Sequence, residues 1–591
     1  MRRLSIETPD RAQQVIQDLC RDMGHRVAAN PPGLCPVDLA LNFLRLCHAQ
    51  TCGKCVPCRI GLSQLETLIE SVLDQTAPEG TIDLIESTAA AIADSADCAI
   101  GYEAAAVVLE GVRGFREDYE LHAREGRCIC SLKQPVPCVT VCPAHVDIPG
   151  YIALVREGRF QDAVDLIRKD NPFPYSCAYV CEHPCEKQCR RRLVDDAINI
   201  CGIKRYAVDH CGDETPPAPA EATGKRIAVV GGGPSGLTAA YYLQLMGHSV
   251  TVFEQRDRLG GMLRYGIPDY RLPPEVLQKD IDYILKTGVE VKTGVCIGTD
   301  IQVEQLRRDY DALYVAIGAH ADKKLGLPGE DSENVLSAVE FLRDCGEGHP
   351  LDFTGKRVVV IGGGNVSMDA TRTAIRLGAE SVTCVYRRRL DDMTALPEEI
   401  ADAQAEGCQI LPLQAPHRIE ADEKGRVAAL WDGRPGPRDA AEREFRIPCD
   451  YLIIAIGQRI ESDNFEKGGI GTSRGALKAD LSGYVPGTPN VFAGGDAVTG
   501  PATVIRAVAA GKVGAANIDS FLGFAHTIRC DVQIPPARLS NTPPCGRIQL
   551  KARNPLESRT DFALATCGMT EEEAMQEAGR CLRCDHFGYG I

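Results

Sequence analysis

The chain is poor in aromatic residues, which make up 5% of it with a single tryptophan. It has no run of about eighteen apolar residues, so no membrane-spanning helix is expected. The opening MRRLSIETPD carries an arginine pair with no apolar stretch behind it. That reads as no export signal, and makes the cytoplasm the expected compartment. Positive charge is in deficit: 65 Lys and Arg stand against 81 Asp and Glu, for a formal net charge of -16. Such a surface repels nucleic acid and anionic membranes and argues against both as partners, although a local basic patch can still hold a phosphate. Low-complexity runs are missing too, since the 57 glycines recur in tight motifs. At 591 residues, 44% apolar and 25% charged, the chain has an ordinary globular composition. Its length suggests roughly three to five domains.

What the chain does have is cysteine, 27 residues of it. Without an export signal, thiols gathered in C-x2-C and C-x3-C arrays point to metal rather than to disulfides. About ten others, including Cys296, Cys345, Cys384, Cys408 and Cys449, stand alone and read as small apolar residues.

Along the chain, residues 1–125 read as helical, with apolar residues at helical spacing in LALNFLRLCHAQ and LSQLETLIESVLD. Residues 126–212 hold a dense cysteine field between short helices such as QDAVDLIRKD, and DETPPAPAEAT at 213–223 reads as a linker. RIAVVGGGPSGLTAAYYLQLMGHSVTVFE then reads strand, Gly-rich turn, helix, strand, and RVVVIGGGNVSMDATRTAIRLGAESVTCVY repeats the pattern at 357–386. The expected organisation is the first half of a dinucleotide-binding domain at 224–345, a second, inserted dinucleotide-binding domain at 346–475, the second half of the first domain at 476–525 and a cysteine-bearing tail at 526–591. The fold class is α/β, with two Rossmann-like dinucleotide-binding domains preceded by two mainly helical iron–sulfur domains.

In the first unit Gly231, Gly233 and Gly236 form G-x-G-x-x-G, which lets a pyrophosphate approach a helix N-terminus. Glu254 closes the second strand where a carboxylate can grip ribose hydroxyls. The second unit has Gly362 and Gly364, followed by Asn365, with Ser367 in place of a third glycine. Its second strand ends in Tyr386-Arg387-Arg388-Arg389. Guanidinium groups there suit a ribose 2′-phosphate and favour NADP(H); a solvated basic run is the other reading. ALYVAIGA, ending at Gly318, and YLIIAIGQ read as apolar strands. In VFAGGDAVTGPATVIRAVAAG, Gly495 and Asp496 precede a helix expected to open at Pro501. An acid there can bind flavin ribityl hydroxyls.

With GGGPSGL, GGMLRYGIPDYRLP (which contains Gly261), GGGNVSMDATR, YRR and GGDAVTGPATVIRAVAAG in view, residues 126–525 resemble the small subunit of glutamate synthase. They are similar as well to the flavoprotein parts of dihydropyrimidine dehydrogenase and ferredoxin:NADP transhydrogenases. The resemblance implies FAD in the first site, NADPH in the second, and hydride transfer between them; that subunit type does not itself handle glutamate.

Cys52, Cys55 and Cys58 in TCGKCVPCR, with Cys98 about forty residues on, have the spacing of a 4Fe–4S cube, a zinc knot being the alternative. Residues 38–122 resemble the C-terminal cluster domain of the NADH-binding subunit of complex I, without its FMN and NADH part. For the second field the glutamate synthase resemblance implies two cubes. Cys138 and Cys189 go to one, Cys142, Cys181 and Cys185 to the other, and Cys177 is not a ligand. Three cubes are therefore expected in all. The Gln or Glu that often completes the second cube aligns with Lys204, which cannot ligate while protonated; Cys201 is a nearby candidate. The C-x2-C usual upstream of the first cube reads Cys128-Ile-Cys130, whereas the tail carries Cys581 and Cys584 in GRCLRCD. The tail pair is the expected supplier of the missing ligands, and Cys128 with Cys130 is the competing reading.

The function expected is an NAD(P)H-dependent FAD/iron–sulfur oxidoreductase, an electron-transfer subunit of a larger complex of the kind that includes electron-bifurcating transhydrogenases. Its expected partners are a complex I-like flavoprotein, a ferredoxin, or a hydrogenase or formate dehydrogenase. A true glutamate synthase small subunit is the runner-up, and a scaffold without turnover is the alternative of another class.

Overall fold

A computed structural model describes residues 11–29, 35–125, 136–212, 215–433, 444–536 and 545–585; Cys128 and Cys130 lie outside them. Two five-stranded parallel sheets carry the nucleotide-binding part. The strands are β1 (Arg226–Val230), β2 (Ser249–Phe253), β3 (Glu290–Lys292), β4 (Ala312–Val315), β5 (Val335–Ser337), β6 (Arg357–Ile361), β7 (Ser381–Tyr386), β8 (Gln409–Pro412), β9 (Tyr451–Ile454) and β10 (Val491–Ala493). The first sheet runs β10-β4-β1-β2-β3 and the second β5-β9-β6-β7-β8. Because β10 returns to pair with β4, the second sheet is an insertion into the first. β1 and β6 are near-continuous apolar, β-branched runs buried at four of five positions. That is the pattern of parallel strands covered on both faces.

Three helices fix the site: α1 (Pro234–Leu245) after β1, α2 (Asn365–Arg376) after β6, and α3 (Val504–Phe521) after β10. The last corrects the expectation of a helix opening at Pro501. A short helical turn, Asp496–Thr499, comes first, Gly500 takes a φ of +77°, and Thr503 stays extended as the residue before α3. The left-handed glycine breaks the chain between the two helical pieces.

The N-terminal helices Pro36–His48, Ser63–Leu73, Thr81–Ser95 and Ala99–Gly114 pack round their own core, which includes Leu41, Leu65, Ile69 and Val108. Helix Arg11–Ala29 lies against the turn Arg190–Leu193, next to Cys189. The central helices share a single apolar core with the first sheet. One tie across that boundary is Asp280, whose carboxylate takes the Ser176 amide at 2.7 Å and its hydroxyl at 2.8 Å. Among the described residues no helix is long and apolar enough to cross a membrane.

The tail is bound at two places. His248 Nε2 and His526 Nδ1 meet Asp519 Oδ1 at 2.9 and 2.7 Å, which fixes the exit from α3. Farther on, Arg376 of α2 reaches Ser558 Oγ at 3.1 Å. Arg376 belongs to a buried network: Glu406 receives Arg376 at 2.6 Å and Arg372 at 2.8 Å, while Arg372 also reaches Glu399 at 2.7 Å. Glu406→Gln leaves two buried guanidiniums short of charge. We expect a loss of about 3–5 kcal/mol, the cost of breaking a buried ion pair from one side. A thermal melt at neutral pH checks this, and an unchanged melting temperature would count against the network as a stabilising element.

Candidate functional site

The first cavity, of about 350 Å³, sits at the carboxyl ends of the first sheet and is lined by Gly231, Gly233, Glu254, Gly261, Gly318 and Asp496. A Cβ on Gly231, which has a φ of +107°, would overlap the Ala316 carbonyl, so only glycine keeps this turn. Glu254 is oriented by the Gly232 amide at 2.7 Å and the Arg256 amide at 2.9 Å. Burial pushes Glu254 above its ordinary value and pushes Asp496 up to about 6. The buried Arg256 Nε in the same wall has no partner. A narrow turn at a helix N-terminus, an oriented carboxylate and an orphaned donor fit a flavin dinucleotide. Gly236 and Gly495 are not in the wall: Gly236 packs on the Gly231 carbonyl and Gly495 forms the turn before Asp496.

The second cavity, of about 920 Å³, is lined by Gly362, Gly364, Asn365, Arg387 and Arg388. A Cβ on Gly363 would strike the Tyr386 ring. Sequence reading missed three walls. Gln414 and Gln458, 5% and 7% exposed, line the cavity, and Gln414 Oε1 and Gln458 Nε2 lack partners. Pro501, Ala502 and Thr503 come from the segment that also carries Asp496 in the first cavity, so one stretch of chain walls both. Glu182 comes from the iron–sulfur region. Orphaned amides beside a glycine turn suit a second dinucleotide. Gln458 and Pro501–Thr503 lie inside YLIIAIGQ and GGDAVTGPATVIRAVAAG, but nothing in the spacing of those segments, or around Glu182 and Gln414, points to this cavity.

The thiols fall into three groups. Cys58 is pushed up to about 12, first by burial and then by Cys55, Cys98 and Cys52, which puts those four together. Cys98 stands at the start of helix Ala99–Gly114. Cys138 is raised by burial and by the charges of Cys581, Cys584, Cys189 and Cys185, in that order. The tail is pinned there by Arg580, fully buried, which reaches Asp195 at 2.9 Å and the Asp196 carbonyl at 2.6 Å. Arg191, two residues after Cys189, holds Asp195 from the other side at 2.6 Å. The third group joins Cys181 to Cys201 and Cys142, and Cys185 to Cys181 and Cys201. Buried Lys204 stands among Cys201, Cys181, Cys177 and Cys185.

Among the described residues, His248, Asp519 and His526 are the only group of three or more potential ligands whose atoms all lie within 4.8 Å of one another. Sulfurs sharing one tetrahedral zinc at about 2.3 Å would sit closer than that. Among the described residues no three thiols lie all within 4.8 Å of one another.

Three family models match the chain between residues 38 and 511. That described as NADH-ubiquinone oxidoreductase-F iron-sulfur binding region matches residues 38–122, and that described as dihydroprymidine dehydrogenase domain II, 4Fe-4S cluster, matches 109–215. The model for pyridine nucleotide-disulphide oxidoreductase matches residues 197–270 and 225–511. The chain belongs to this family. Its cofactors are FAD, a pyridine nucleotide and 4Fe–4S clusters, and it is an oxidoreductase. It is similar to the NADPH-Fe(3+) oxidoreductase subunit beta of Geobacter sulfurreducens, 33% identical over 92% of this chain and 90% of that one. It is similar also to the NADP(+)-dependent formate dehydrogenase subunit beta of Moorella thermoacetica, 32% identical over 94% and 92%. The glutamate synthase [NADPH] small chain of Escherichia coli is 32% identical over 68% of this chain and 91% of that one. Two of these relatives are named as beta subunits.

Proposed function

We propose that the protein is a diaphorase-type subunit of a cytoplasmic electron-transfer assembly, drawing on NADPH. The wall shared by the two cavities, residues 494–507, is the observation that carries this reading. It supports reading the two cavities as adjoining flavin and nicotinamide sites, between which a hydride can pass in either direction. Bound FAD supplies the exchange between a two-electron hydride and single electrons, and the cubes carry those electrons onward.

The residues divide the work. Gly231, Gly233 and Glu254 hold the flavin's diphosphate and ribose, and Asp496 its ribityl chain. Gly362, Gly364, Gln414 and Gln458 hold the nucleotide, with Arg387 and Arg388 on its 2′-phosphate. Cys142, Cys181, Cys185 and Cys201 form the ligand set nearest the nucleotide domain; Lys204 supplies charge beside it. Cys138, Cys189, Cys581 and Cys584 form the next set. Cys52, Cys55, Cys58 and Cys98 form a third, in a domain that docks beside Cys189 and faces a partner. A partner with its own redox centre fits, such as a ferredoxin or a hydrogenase or formate dehydrogenase subunit. Against the glutamate synthase small chain reading, that relative matches only 68% of this chain, while 91% of its own length is matched.

Deleting residues 1–122 is expected to leave NADPH–dye reduction intact and to abolish transfer to the partner that co-purifies anaerobically. Loss of FAD from the truncated protein would instead make this domain structural and sink the relay.

A further inference from the structure

Glu182 follows Cys181 directly in the chain, yet its carboxylate lies in the wall of the dinucleotide cavity. Its Oε1 accepts a hydrogen bond from Asn365 Nδ2 at 2.8 Å. Asn365 is the first residue of α2, directly after the Gly362-Gly363-Gly364 turn, and its own Oδ1 accepts from the Leu396 amide at 2.9 Å. Both polar ends of the Asn365 side chain are thus engaged within the protein. His183, one residue further on, reaches Glu398 of the nucleotide domain at 3.4 Å. Residues 181–183 therefore tie the iron–sulfur region to the mouth of the nucleotide site.

A helix N-terminus after a glycine turn attracts anions, because its first amides have no partners within the helix. A dinucleotide brings a diphosphate to that place. Glu182 brings a carboxylate to its edge, and two anions sharing one low-dielectric corner oppose each other.

We propose that Glu182 is an anionic gate on the pyridine-nucleotide site. It competes with the diphosphate for the start of α2 and must leave Asn365 for the nucleotide to seat fully. This rests on reading the second cavity as the nucleotide site. Since the gate is the residue after Cys181, its movement links nucleotide arrival to the segment that carries that thiol. By reciprocity, whatever shifts this segment shifts nucleotide affinity.

The test is the dissociation constant of NADP+ and of NAD+, measured by titration calorimetry on the oxidised holoprotein, where no turnover occurs. Three proteins are compared: wild type, Glu182→Gln and Glu182→Ala. The glutamine keeps an acceptor for Asn365 but removes the charge; the alanine removes both. Both variants are expected to bind both nucleotides more tightly, by roughly two- to fivefold, the worth of one charge at a helix N-terminus. The factor should be the same for NADP+ and NAD+, because both carry the diphosphate. Iron content equal to wild type shows that the neighbouring cluster is intact; if a variant loses iron, the comparison is made with Glu182→Asp, whose shorter carboxylate should weaken the competition in the same direction. If an iron-replete variant binds no more tightly than wild type, the gate is overturned, and weaker binding by the alanine would make Glu182 a brace for Asn365. If none of the proteins binds either nucleotide, the reading of the cavity fails and the gate with it. If all bind alike, the reading stands and only the gate falls.

Discussion

Replacing Cys581 and Cys584 together by alanine is expected to remove one cube, about four irons per chain, and its EPR signal. The geometry behind this is specific. Both tail thiols act on Cys138, ahead of Cys189 in strength. Arg580, immediately before Cys581, is buried against Asp195 and Asp196, and Arg191 donates to the Arg580 carbonyl at 3.3 Å. The turn that carries Cys189 thus grips the tail from both its side chains and its backbone. Glu577, one helical turn earlier, takes the Asn199 amide at 2.7 Å and the Ile548 amide at 2.9 Å. So many buried ties between segments 378 to 389 residues apart in the chain need a reason. A shared cube supplies one, and shields thiols that would be reactive in the open. Cys128→Ala/Cys130→Ala is the comparison. If the tail variant keeps its iron while the upstream variant loses about four, the tail is an appendage and the upstream pair ligates the cube.

Much of the architecture was legible because it is local. Apolar β-branched runs, glycine turns and the acid or arginines closing each unit lie within thirty residues of one another, and 226–253 and 357–386 form strand, helix and strand accordingly. The insertion of one sheet in the other was legible from the return of an apolar strand before Asp496. The start of α3 was not, since Pro501 is a good first helical residue and only the left-handed Gly500 and extended Thr503 move the helix onward. The walls of the nucleotide cavity were less legible still. Glu182, Gln414, Gln458 and Thr503 come from four distant segments, and no spacing rule connects them. The same holds for the Asp195–Arg580 pair, 385 residues apart, whose partners have ordinary local sequences.

Changing Arg387 and Arg388 together to alanine is expected to raise KM for NADPH about a hundredfold or more while leaving that for NADH nearly unchanged. Each charge-assisted contact to a 2′-phosphate contributes about 1.5–3 kcal/mol, and 1.4 kcal/mol is a factor of ten. The position of these side chains supports the proposal. They follow β7, the strand next to the one that leads into the glycine turn, where the adenosine ribose lies in a dinucleotide fold. The two residues after β8 hold this stretch of backbone: the Leu413 amide donates to the Arg388 carbonyl at 2.9 Å, and the Gln414 amide to the Tyr386 carbonyl at 3.0 Å. Both side chains line the cavity, and neither guanidinium has an acidic partner among the described residues. A basic pair serving only solubility would be indifferent to the nucleotide. A pair holding the loop would affect NADPH and NADH alike, because both need the same ribose pocket. Only a pair that meets the 2′-phosphate separates the two. The decisive quantity is therefore the ratio of kcat/KM for NADPH to that for NADH, read beside a thermal melt of the variant. An unchanged ratio, with both values reduced, would return Arg387 and Arg388 to a structural role and leave the nucleotide preference to be set by other walls of the cavity.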